Sequence, residues 1–294
     1  MSEPSPAHRV FAPAKINLYL HVLGRRADGY HDIDSLLVFC DLGDWVEARP
    51  ADDLTLRVDG PFADAIATEN IVLRAARGLR DSVAVARGAA LRLRKELPVA
   101  AGMGGGSSDA AAAIRALCRL WDLDPGAPAV AALAARLGAD VPACLHARPV
   151  IVGGAGERIV ARPDLPVMAL AVLNPGTALA TAEIYGRCAP PPSMPAAAAP
   201  PARLSRLVPW LAGRRNDLTA AARGLAPEIG EVLAFLESRR GCLLARMSGS
   251  GATCFGIFER PDLAAAPARA AARRHPRWWA RAATTSPAGP PQGG

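Results

Sequence analysis

The chain has 294 residues, 51% of them hydrophobic, with 34 Lys+Arg against 27 Asp+Glu for a net charge of +7. That length and apolar content suit two modest domains or one large one. The basic surplus is interleaved with acidic residues along most of the chain, which favours an anionic small-molecule substrate over nucleic acid; no membrane-length apolar run, no signal-peptide core and no Cys-x-x-Cys pair among six cysteines argue against a membrane partner, a disulfide scaffold or a zinc site, and for a cytoplasmic location.

In chain order, Val10–Ala12 and Asn17–Val22 alternate as two strands, and Ser35–Cys40 reads as a third. Asp44–Arg49 and Leu54–Val58, separated by Pro50 and Asp52-Asp53, predict a hairpin. Asn70 to Arg80 has helical periodicity with Asn70 as N-cap. Gly88–Arg94 predicts a strand, followed by helices from about Asp109 to Leu120 and Ala127 to Leu137. Past Arg162–Pro166, a domain boundary, come a buried strand over Val167–Leu173 and a helix opening at Thr181. Pro190–Pro201 is an exposed Pro/Ala-rich insertion. Helices over Leu218–Ala222 and Glu228–Arg239 precede strands Cys242–Met247 and Thr253–Phe258, and the Pro/Gly-rich tail at 287–294 is expected to be disordered. Strands and helices do not alternate regularly, which points to an α+β architecture, divided into residues 1–162 and 163–286.

The most informative segment is Pro98-Val99-Ala100-Ala101-Gly102-Met103-Gly104-Gly105-Gly106-Ser107-Ser108-Asp109, running into Ala110–Ala113. Glycines let backbone N–H groups converge. A helix N-terminus adds unpaired donors and partial positive charge, so the segment predicts a cradle for a nucleotide phosphate. It is not a Walker loop, because no Lys follows the glycines. Nor is it a dinucleotide fingerprint, because Ser107 stands where the third glycine belongs. The His-Arg-Asp and Asp-Phe-Gly pieces of protein kinases are absent.

Of the 34 basic residues only Lys15 and Lys95 are lysine. In a chain that otherwise uses Arg, the two survivors are candidates for work that needs a compact ammonium. Lys15 and Asn17 sit two apart in the apolar strand Ala12-Pro-Ala-Lys15-Ile-Asn17-Leu, on one face. Burying both is costly without partners. Asp140, in Leu137-Gly-Ala-Asp140-Val-Pro, offers a carboxylate just after a helix ends.

Together Pro-Ala-Lys15-Ile-Asn17-Leu, Asp28-Gly-Tyr30-His31, the Gly102 to Asp109 cradle, Leu-Gly-Ala-Asp140-Val-Pro and Met247-Ser-Gly-Ser-Gly-Ala-Thr-Cys-Phe resemble the GHMP family of small-molecule kinases, in order, from about residue 9 to 258. The departures, Met103 for the commoner Leu and Ala252 for Ser or Thr, remove no functional group. The resemblance implies a two-domain fold, with an N-terminal domain like the second domain of ribosomal protein S5 and a ferredoxin-like C-terminal domain. It implies ATP-dependent phosphorylation, with Asp140 as general base and Lys15 orienting it. Backbone from Pro98 to Ser108 would wrap ATP, with Mg²⁺ near Ser107 or Ser108 and other metal ligands unassigned; Lys95 would lie near the adenine. By the same resemblance Tyr30 and His31 would hold a cytosine and Asn17 and Thr181 the rest of the acceptor, a cytidine diphosphate-linked methylerythritol phosphorylated at its 2-position hydroxyl. The oligomer would be a monomer or homodimer. A family member acting on homoserine, mevalonate or a sugar would not need Tyr30-His31, and a non-catalytic nucleotide or RNA binder would not need Lys15 with Asp140.

Overall fold

The computed structural model describes residues 7–188, 194–195 and 198–287. Two long strands, β1 (His8–Arg25) and β2 (His31–Ala51), pair antiparallel and form the spine of the first sheet. Each absorbs two of the shorter strands expected from the sequence. Bulges between Pro13 and Lys15, Asn17 and Tyr19, and Val22 and Gly24 break the apolar alternation that would have marked β1 as continuous.

Strands β3 (Leu54–Asp59), β4 (Gly88–Arg94), β5 (Val150–Gly153) and β6 (Arg158–Ala161) complete this sheet in the order β3-β4-β2-β5-β6, with β1 alongside β2. The expected hairpin between Asp44–Arg49 and Leu54–Val58 does not form. β3 leaves the turn, the chain crosses through α1 (Ile71–Ser82), and β4 returns to occupy the slot beside β2, parallel to β3. A turn signal fixes a reversal but not which strand fills the neighbouring place. Asn70 caps α1 as expected, its side chain accepting from the amides of Val72 and Leu73 at 2.9 and 3.3 Å.

α2 (Gly105–Trp121) lies against β1 and β2, flanked by α1, α3 (Pro128–Leu137) and the short α4 (Val141–His146). Ala110–Ala113 are all buried, so a helix of small residues brings the sheet close. It starts at Gly105 rather than at Asp109, because Gly104 is its N-cap, in the left-handed region at φ 62°.

The second sheet is antiparallel, β10-β7-β9-β8, from β7 (Ala169–Asn174), β8 (Cys242–Met247), β9 (Cys254–Phe258) and β10 (Trp279–Thr284). α5 (Thr181–Gly186), α6 (Leu204–Ala212), α7 (Thr219–Leu225) and α8 (Glu228–Glu237) fall between β7 and β8; α9 (Pro261–Arg274) joins β9 to β10. This connection order is the ferredoxin-like one. β5, β6, α4, α6, α9 and β10 were not among the elements expected from the sequence.

On its open side β1 is completed by residues from far along the chain. The Leu20 amide donates to the Arg215 carbonyl at 3.0 Å, the Asp217 amide to the Leu20 carbonyl at 2.9 Å, and the Val22 amide to Asp217 Oδ2 at 2.7 Å. Arg246, buried in β8, donates to the carbonyls of Leu18, Leu211 and Arg214. The Ser286 amide bonds the Phe39 carbonyl at 2.8 Å, tying the last described residues to β2. The cysteines are free, and no helix among the described residues is long and apolar enough to cross a membrane. Half of the predicted insertion (190–193 and 196–197), together with residue 189 and the tail at 288–294, lies outside the described residues.

Candidate active site

Lys15 is 4% exposed, on the stretch of β1 that faces the glycine loop. Its amide donates to the Met103 carbonyl at 2.9 Å, so strand and loop are joined. Its ammonium meets Asn17 Oδ1 at 2.9 Å and Asp140 Oδ2 at 3.0 Å. Asn17 is held in turn, Nδ2 donating to Ser35 Oγ at 2.8 Å. Asp140 occupies the N-cap position of α4 without capping it, and a third of its side chain stays open to the cavity. The two residues that the sequence separated by 125 positions are thus one ion pair.

The cradle lies against this pair. A Cβ on Gly104 would stand 2.8 Å from Lys15 Cε, and one on Gly102, at φ 72°, would stand 2.5 Å from the Ser248 carbonyl oxygen. Both glycines are therefore required by close approach. Ser248 Oγ donates to the Gly102 carbonyl at 2.9 Å and accepts from the Asn17 amide at 3.1 Å, so the Met247–Phe255 segment packs on both the glycine loop and β1. The two cradle hydroxyls differ. Ser108 is buried and donates to the Pro13 carbonyl at 2.7 Å, whereas Ser107 lines the cavity. Met103 is buried behind the loop, while Pro98 to Ala101 border the cavity.

Lys95 is 2% exposed and its ammonium is taken by Asp44 Oδ2 at 2.5 Å and Asp109 Oδ2 at 2.7 Å. Asp44 Oδ1 also accepts from the amides of Glu96 and Leu97. Burial pushes the Asp109 carboxyl above the usual carboxylate range; Lys95 opposes that rise and the Asp44 charge adds to it. The triad braces the strand entering the cradle against the first turns of α2. The lysine was visible in the sequence; its two carboxylate partners were not.

Beyond Asp140 the cavity, about 900 Å³ in all, turns aromatic. Tyr30 is 65% exposed on the Asp28–His31 turn, and the His31 and Tyr185 rings lie 5.2 Å apart at 30°. Burial, helped by the charge of Arg25, lowers the His31 pKa, so the imidazole is neutral near pH 7 and offers one donor and one acceptor. Burial and then the Asp140 charge push the Tyr185 phenol up, which keeps its proton. Thr181 Oγ1 and Ser250 Oγ, hydrogen-bonded at 2.9 Å, also line the cavity. Tyr185 was missed in the sequence; its place one turn after Thr181, on the same helix face, was the available signal.

The cavity therefore runs from the glycine loop, past a lysine–aspartate pair, to an aromatic pocket. The GHMP kinases N terminal domain family matches residues 70–148 and the GHMP kinases C terminal family matches residues 199–277. A 4-diphosphocytidyl-2-C-methyl-D-erythritol kinase of Parvibaculum lavamentivorans is 51% identical over 274 residues, covering 91% of this chain and 94% of its own. That of Paramagnetospirillum magneticum is 48% identical over 270 residues, covering 91% and 95%. A crystal structure of 4-(cytidine 5'-diphospho)-2C-methyl-D-erythritol kinase superposes with a TM-score of 0.75 at 34% identity, covering 95% of this chain and 99% of that one. The chain belongs to the GHMP kinases and has their two-domain fold.

Proposed function

We propose that this kinase transfers the γ-phosphoryl group of ATP to the 2-position hydroxyl of 4-diphosphocytidyl-2-C-methyl-D-erythritol, a step of the non-mevalonate isoprenoid pathway. The observation that carries the reading is the Lys15–Asp140 pair, 3.0 Å apart, between the glycine cradle and the His31–Tyr185 pocket. The two curated relatives at about half identity carry the same activity in their names. Residues 1–162 form the half that bears cradle and base, and 163–286 the half that closes it; free thiols suit a reducing cytoplasm.

Phosphoryl transfer needs positioning and charge neutralisation more than covalent help from the protein. The amides from Gly102 to Ser107 and the start of α2 hold the phosphates. Pro98 to Ala101, with Lys95 beneath, border the rest of the nucleotide. Asn17 and Thr181 flank the reacting end of the acceptor, and Tyr30 and His31 hold its cytosine, the neutral imidazole reading the base edge and an aromatic ring its face. Asp140 Oδ accepts the hydroxyl proton as the oxygen attacks, and the Lys15 ammonium fixes that carboxylate and supplies positive charge where negative charge develops.

Mg²⁺, when bound with ATP, neutralises phosphate charge. Among the described residues no three His, Cys, Asp or Glu converge on one point, which suits an ion held chiefly by phosphate oxygens and water. The open hydroxyl of Ser107 is the protein group that would reach it.

ADP release measured with Mg-ATP and each of 4-diphosphocytidyl-2-C-methyl-D-erythritol, homoserine, mevalonate and galactose tests the assignment. Release with the cytidyl compound alone is expected, and release with another acceptor instead would discard the cytosine pocket. Lys15→Arg should lower kcat about a hundred-fold and, because the site is buried, lower the melting temperature by a few degrees. The charge is kept, but a planar fork does not fit the compact site between Asn17, Asp140 and Gly104. Wild-type turnover in that variant would remove Lys15 from the chemistry.

A further inference from the structure

Arg25 ends β1 and Arg26 follows it into the turn, and the structure treats the two differently. Arg26 is fully engaged in the Asp28–His31 turn: its guanidinium meets Asp28 Oδ2 at 2.9 Å and Asp32 Oδ1 at 3.6 Å, and its amide donates to the Tyr30 carbonyl at 2.8 Å. The Tyr30 amide bonds Asp28 Oδ1 at 3.1 Å, so the turn is built without Arg25. Arg25 lies directly opposite His31 in the β1–β2 register and lines the cavity. It is close enough for its charge to depress the imidazole.

Three Lys or Arg side chains line this cavity: Lys15, Lys95 and Arg25. Lys15 is paired with Asp140, and Lys95 with Asp44 and Asp109. Among the described residues no carboxylate lies within ion-pair distance of Arg25. An exposed, uncompensated guanidinium beside a neutral aromatic pocket adds nothing to the turn. It is suited to a ligand that joins a base to an anion, because the fork presents paired donors to phosphate oxygens.

We propose that Arg25 is a specificity-determining residue that binds the diphosphate of the acceptor; this rests on the cytidine diphosphate reading of the site. With the base held at His31 and the reacting hydroxyl at Asp140, the diphosphate adjoins the base, at the level of the strand pair that carries Arg25 and His31. The cradle serves the phosphates of ATP; Arg25 serves those of the acceptor. An acceptor lacking the diphosphate loses this contact and keeps the base contacts.

The test is calorimetric titration of the full-length protein with CDP and with cytidine, each with the nucleotide site saturated by Mg²⁺ and a non-hydrolysable ATP analogue. The unaltered protein should bind CDP more tightly than cytidine. Arg25→Gln should weaken CDP about ten- to a hundred-fold, leave cytidine and the ATP analogue unchanged, and raise the acceptor KM with little change in kcat. Arg25→Lys should recover part of the CDP affinity. Unchanged CDP affinity in Arg25→Gln, or equal losses for CDP and cytidine, would overturn the proposal, the second by showing that Arg25 only shapes the pocket. Failure of both ligands to bind the unaltered protein would overturn the cytidine diphosphate reading itself.

Discussion

Asp140→Asn should lower kcat about a thousand-fold while ATP affinity stays within a factor of two or so. A positioned general base contributes roughly 10²–10⁴-fold, and the amide is isosteric but accepts no proton. The substitution is mild for the fold. Asp140 caps no helix amide with its side chain, and Asn Oδ1 can still accept from the Lys15 ammonium 3.0 Å away. The nucleotide cradle is built from backbone and does not call on this side chain. The measurement is steady-state ADP release beside calorimetric binding of an ATP analogue. Retained turnover would move the base elsewhere; lost ATP affinity would mean that the carboxylate shapes the cradle.

Lys95→Met is expected to act on stability rather than chemistry. It removes one ammonium and leaves Asp44 and Asp109, both nearly inaccessible, facing each other without compensation. Breaking a buried pair by deleting one partner costs about 3–5 kcal/mol, which for a chain of this size lowers the melting temperature by about 10 °C. Restoring neutrality should recover much of the loss, so Lys95→Met/Asp109→Asn should melt above the single variant. A double variant no better than the single one would show that the ammonium acts by filling space. Thermal unfolding followed by circular dichroism distinguishes the two.

The glycine loop, Asn70 as a cap and Lys15 were legible because each depends on a local rule or on an unusual residue choice; the pairing of Lys15 with Asp140 came only from the family resemblance. Lys15 stood out in a chain that writes Arg nearly everywhere, and its burial beside Asn17 demanded partners. What stayed hidden depends on distance along the chain. Nothing near Leu54–Asp59 says that β4 will come between β3 and β2, because that placement is settled by the crossover through α1. Asp44 reads as an ordinary strand-end carboxylate until Lys95, 51 positions later, is seen on it. α9 is hidden in the sequence because Pro267 interrupts its Ala/Arg run.

The open side of β1 has a consequence for how the protein is made. Among the described strands β1 pairs with β2 alone, and its other edge is satisfied by the Arg215–Asp217 segment and by Arg246. The ribosome delivers those residues only after the whole of the first sheet. At about 5–20 residues per second, the chain waits on the order of ten seconds between completing the first sheet and supplying Arg246. During that interval the Asn17–Val22 part of this strand edge is bare, the Lys15 amide being already bonded to the Met103 carbonyl, and a bare edge is the surface on which two nascent chains would pair. The bulges that twist β1, and the lysine buried within it, then guard translation as well as the site, since a bent edge carrying a charge is a poor template for a neighbour.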